Sequence, residues 1–121
     1  MSAELYRWLE QRIAAAERSL TDQTGGTNVC RLQQDGRVTG GMKYDEGRLV
    51  ALNTVRRQLV AAQQEGTAVD QRAMLAHEAS EWREALRVQQ ARERPAIQWV
   101  AYRQGGVDAL EELLAMIDSA G

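Results

Sequence analysis

Apolar residues return along most of this chain at steps of three and four, the spacing that gathers them on one side of an α-helix. The first such stripe is Leu5, Leu9, Ile13, Ala16 and Leu20, with Ser2 placed to cap its amino end. Arg7, Glu10, Arg12, Glu17 and Arg18 fall mostly on the other side, so a helix is predicted from Ser2 to about Leu20. A second stripe, Leu49, Leu52, Val55, Leu59 and Ala62, predicts a helix over Asp45 to Glu65, with Gly66 where a C-terminal cap belongs. Thr67 is the expected N-cap of the next helix, with Asp70 three residues on in the place a capping box gives to Glu or Gln. Its stripe is Leu75, Ala79, Trp82 and Leu86, continuing to Gln89, and its end is expected at about Arg94, because the residue before Pro95 disfavours the α region.

Pro95 also suits the first position of a following helix, in which Ile97, Val100 and Ala101 share one side and Trp99 and Tyr102 flank it. Gly105-Gly106 interrupts that helix, yet Val107, Leu110, Leu114 and Ile117 continue the same face in phase. Asp108, Glu111 and Glu112 have the acidic character of a fresh helix start, where carboxylates meet the positive end of the dipole. A kinked helix and a broken pair therefore both stand as readings, and the break at the glycine pair is the favoured expectation.

Between the first two stripes the period is lost. Thr21 to Lys43 holds Gly25, Gly26, Gly36, Gly40 and Gly41, and Asp35-Gly36 suits a type I′ turn between strands at Asn28 to Gln34 and Arg37 to Met42. Paired through that turn, the two strands give neither face a clear apolar side, so a short β-hairpin and a long surface loop stand as equal readings. The fold expected is all-α: a bundle of four to five amphipathic helices forming one domain over residues 1–121, with this Gly-rich segment projecting between helices one and two, and helices three and four as antiparallel neighbours.

Composition narrows the setting. The chain is 44% hydrophobic and 26% charged, with a net charge of -2. Folding a chain of this size hides roughly two-thirds of its surface, enough for a small core without staples. No apolar run is long enough to cross a membrane and Met1-Ser2-Ala3-Glu4 lacks the order of a signal peptide, so a cytoplasmic protein with no membrane partner is expected. The single Cys30 offers no intrachain disulfide and no zinc-ligand spacing. Fourteen of the fifteen basic residues are Arg, a bias that fits GC-rich coding of the kind found in actinobacteria and their phages. The stretch Gly41-Met-Lys-Tyr-Asp-Glu-Gly-Arg-Leu-Val-Ala-Leu52 resembles small helical proteins of such phages.

No catalytic set emerges. His77, the one histidine, has Glu81 a turn away, but a zincin helix needs a second His there, and a di-iron bundle needs Glu where position 74 has Met. Ser80 and Cys30 lack a base with an orienting partner. Gly36 to Lys43 misses the phosphate-loop spacing by one residue and has Tyr44 where that loop has Ser or Thr. The expectation is a non-enzymatic protein with no cofactor and no metal.

Two features point to binding. Trp8, Trp82 and Trp99 are the largest side chains of a protein without Phe, and each belongs in a core or an interface. Charge is uneven: Arg31, Arg37, Lys43, Arg48, Arg56 and Arg57 outnumber the acids of residues 27–64, while Asp108, Glu111, Glu112 and Asp118 outnumber the single Arg103 of residues 96–121. Such asymmetry can tie the fold to itself or recruit a partner. The function expected is a protein-protein interaction or assembly module, with homo-oligomerisation open and with Arg31, Arg37, Lys43, Arg48, Arg56, Arg57 and Trp99 as its contact residues. The alternative is a nucleic-acid-associated protein using the basic middle, which a pI near 5.4 disfavours.

Overall fold

The computed structural model describes residues 3–24 and 40–120. These form a small bundle of four helices, α1 (Ala3–Thr24), α2 (Gly40–Gln64), α3 (Gln71–Gln90) and α4 (Ile97–Ala120), with no strand among the described residues. None of these helices is long and apolar enough to cross a membrane.

Most of the expected stripes face inward. Leu5, Leu9, Ile13 and Ala16 of α1, Leu52, Val55 and Leu59 of α2, and Leu75, Ala79, Trp82 and Leu86 of α3 are all buried. Side-chain pairs fix the directions. Tyr6 with Gln63 and Glu10 with Arg56 set α1 antiparallel to α2. Arg72 with Asp118 and Arg83 with Glu111 set α3 antiparallel to α4, as expected. Tyr44 with Asp108 and Arg48 with Glu112 run in the same sense, so α2 and α4 are parallel. The most extensive pairing is α2 with α4; α1 lies on α2, α3 lies on α4, and the remaining pairs touch little.

That layout corrects the expected break at Gly105-Gly106. α4 runs through both glycines without interruption. A Cβ on Gly105 would stand 2.0 Å from the Tyr44 carbonyl oxygen, and one on Gly47 would stand 1.8 Å from the Tyr102 carbonyl oxygen. The two helices thus cross backbone to backbone, each lending a glycine to the other. Gly106 faces the neighbouring helix on the other side, where a Cβ would be 2.2 Å from the Trp82 ring. The pair is therefore a packing device, and its cost in helix propensity is about 1 kcal/mol per residue.

Central position also widens what α2 and α4 bury. Ala51 in α2 and Ala109 and Leu113 in α4 are fully inside although outside the expected stripes, while Leu114 and Ile117 are only partly covered. Ile97, expected to face inward with Val100, is 80% exposed.

The boundaries moved for similar reasons. α1 extends to Thr24, beyond the expected Leu20. α2 begins at Gly40, not Asp45, because Met42 and Lys43 are buried and Gly40 sits against Ala101. Gly40 to Met42, assigned to a hairpin strand from the sequence, are therefore helical; residues 25–39, with the rest of the expected hairpin or loop, lie outside the described residues. Gly66, at φ +69, closes α2 as expected: its N–H donates to the Gln63 carbonyl and that of Thr67 to the Ala62 carbonyl, the double bond of a Schellman motif. Thr67 is thus bound to the helix behind it, and the N-cap of α3 is Asp70, whose carboxylate accepts from the Ala73 N–H at 3.0 Å. α3 stops at Gln90, short of the expected Arg94.

Candidate functional site

The described members of the expected contact set, Lys43, Arg48, Arg56, Arg57 and Trp99, do not form one exposed surface. Arg31 and Arg37 lie outside the described residues, as does Cys30. Lys43 is buried, not an exposed basic group: its ammonium is 3.1 Å from Glu46 and 4.8 Å from the centre of the Trp99 ring. Burying a cation is costly, and here a carboxylate and an aromatic face offset that cost. Arg48 reaches across to α4 and donates to Glu112 at 2.6 Å. Burial alone lowers its pKa, but the bond to Glu112 and that group's charge outweigh the loss and leave it raised. Arg56 pairs with Glu10 of α1 at 2.6 Å, while the exposed Arg57 donates to Thr54 on its own helix. Arg48 and Arg56 are thus spent on ties between helices, and Lys43 is held by Glu46 of its own helix and the Trp99 ring of α4.

The three tryptophans divide. Trp82 is buried and stacks obliquely on Tyr102, with the Arg103 guanidinium 5.0 Å from its ring. Trp99 is 41% exposed and meets Tyr102 edge to face. Trp8 is partly covered by the core and turns its remaining surface to a groove.

That groove lies between α1 and α4, which scarcely touch. Its walls are Trp8, Ala115, Met116 and Ser119, around about 410 Å³ of space. Arg12 spans the two helices nearby, 3.9 Å from Glu112 and donating to the Met116 sulfur at 3.8 Å. Ala115 also lines a second hollow of about 360 Å³ with Tyr44, Asp108, Glu111 and Glu112. Here the Tyr44 hydroxyl donates to Asp108 at 2.6 Å and the Gln104 amide to the same carboxylate at 2.8 Å. This region is not legible in the sequence, because Trp8 and Met116 are far apart in the chain. The available signal was Trp8 beside, rather than within, the first stripe.

The Tyr44 phenol is held above its ordinary pKa, by burial first and by the bond to Asp108 next, and burial raises Tyr102 as well. The folded chain therefore keeps these protons at a pH where the unfolded chain, titrating near 10, releases them. Stability should be level below that value and fall as pH rises through the raised folded values. In urea titrations from about pH 8 to about pH 11, Tyr44→Phe should show a shallower decline than the parent chain; an equal slope would show that Tyr44 does not contribute.

Of the other ionisable groups, Asp45 is buried, with the Ser19 hydroxyl and the Gln23 amide donating to its carboxylate, while His77 is on a solvated face. The His77 imidazole is 3.6 Å from Glu81, both well exposed. Among the described residues no group of three His, Cys, Asp or Glu side chains is placed to hold a metal ion.

No protein-family model, curated protein or solved structure matches this chain, and the resemblance noted for Gly41 to Leu52 gains no support from them.

Proposed function

We propose that this chain is a protein-interaction module whose product is a contact surface, not a reaction. The observation that carries the reading is the open groove between α1 and α4, with Trp8 and Met116 on its walls. Large, polarisable side chains at a concave surface are the usual anchors of protein contacts, and helix pairs that barely touch leave room for a further helix. The polar groups beside it are already bonded to one another, as suits a preformed surface.

The nucleic-acid alternative draws less support. Of its described basic residues, Lys43, Arg48 and Arg56 are paired with carboxylates. A phosphate backbone would have to compete with those bonds.

Ala115 and Ser119 are exposed, so enlarging them blocks the groove without disturbing the core. The test is affinity capture from the source organism with the parent chain, Ala115→Arg and Trp99→Ala, each checked for an unchanged melting temperature. A protein retained by the parent and by Trp99→Ala but lost with Ala115→Arg is expected. Loss with Trp99→Ala alone would move the contact to the start of α4, and retention of nucleic acid in its place would favour the alternative.

A further inference from the structure

We infer that the α1–α4 groove receives an amphipathic helix of a partner protein that carries a cationic side chain about two turns from an apolar anchor. This rests on the interaction reading above and adds the chemistry of the partner.

Two hollows meet at Ala115, one apolar at Trp8 and Met116, the other acidic at Asp108. Their carboxylates are not equivalent. Glu112 is answered by Arg48 and Arg12, and Glu111 by Arg83. Asp108 is held, among the described residues, by the Tyr44 hydroxyl and the Gln104 amide. Both donors are neutral: they fix the direction of the carboxylate and leave Asp108, unlike Glu111 and Glu112, without a direct ion pair among the described residues, the Arg48 guanidinium reaching it only through the Tyr44 hydroxyl. A concave, partly covered site around one oriented carboxylate favours a Lys or Arg from outside, since charge complementarity across an interface steers partners and rejects the wrong sign.

The spacing follows from the helix that carries both hollows. Ala115 and Asp108 are seven residues apart on α4, about 10 Å along its axis. A docked helix lying along α4 therefore needs its cation about seven residues from the apolar side chains that meet Trp8 and Met116. Ile97 continues the row of Ala101, Gln104 and Asp108 at steps of four, three and four, and is the most exposed large apolar side chain described. It offers a further contact for the cationic end of such a helix.

The probe is a fluorescein-labelled peptide of about eighteen Ala and Gln residues. It carries two Leu one turn apart and one Arg seven residues away, made in both chain directions. Matched peptides replace Arg by Glu, Arg by Gln, or both Leu by Ser. Binding is read by fluorescence polarisation, with an oligo-dT strand as competitor. One direction of the Arg peptide should bind at least tenfold tighter than its Glu and Ser versions. Asp108→Asn, which keeps the size of the side chain, should remove most of the advantage of Arg over Gln, and Ala115→Arg should abolish binding of every peptide. Circular dichroism of each variant confirms that it folds. Equal binding of the Glu peptide, no effect of Asp108→Asn, displacement by oligo-dT, or no binding of any peptide would each overturn the inference. If the Gln peptide binds and Ala115→Arg blocks it while Asp108→Asn changes nothing, the partner chemistry is wrong and the interaction reading stands.

Discussion

Gly105→Ala is expected to destabilise the fold by about 3 kcal/mol, although alanine is the better helix former by about 1 kcal/mol. The new methyl group would meet the Tyr44 carbonyl oxygen at 2.0 Å, its carbon at 2.9 Å and the Arg48 nitrogen at 3.2 Å. All three are backbone atoms of another helix, so no rotamer change relieves the clash. The helices must separate, and separation weakens the bonds from Tyr44 to Asp108 and from Arg48 to Glu112 that span the crossing. A loss of this size should lower the melting temperature by roughly 10 °C. Gly47→Ala should behave alike, facing the Tyr102 carbonyl at 1.8 Å. Gly66→Ala is the contrast: nothing stands within 4 Å, and its cost comes from φ +69 alone, about 1 kcal/mol. If Gly105→Ala raises the melting temperature, the close crossing of α2 and α4 is wrong.

The second large effect is at Trp82, where truncation to Ala should cost about 3 to 5 kcal/mol, as expected for a buried aromatic. Trp99→Ala, at a site 41% exposed, should cost much less. The informative measurement is a double-mutant cycle with Gly106, whose missing Cβ leaves room for the Trp82 ring. Alone, Gly106→Ala should destabilise, because a methyl group 2.2 Å from the ring forces the indole aside. In the Trp82→Ala background that obstacle is gone, and the same substitution should become neutral or stabilising by up to about 1 kcal/mol through helix propensity. A reversal of sign is the signature of direct contact. Additive effects would show that the glycine is there for another reason.

Periodicity alone is enough for the class of fold and for the inward side of its outer helices. α1 and α3 each pack mainly against one neighbour, so one stripe describes what each buries: Leu5 to Ala16 in the first, Leu75 to Leu86 in the second. Gly66 was legible for a local reason, since a helix end in left-handed conformation needs little from the rest of the molecule. Local rules gave way at the centre. α2 and α4 bury two sides, which blurs a single stripe, and Gly105-Gly106 carries the same letters whether it breaks a helix or lets another helix approach. Lys43 reads as a solvated charge until Glu46 and Trp99 are seen around it. The α1–α4 groove was beyond reach for the same reason, because Trp8 and Met116 become neighbours only after α2 has drawn their helices together. Periodicity records which side of a helix avoids water; how close two helices come, and what they leave open, is decided by backbone shape and side-chain volume at contacts distant in the chain.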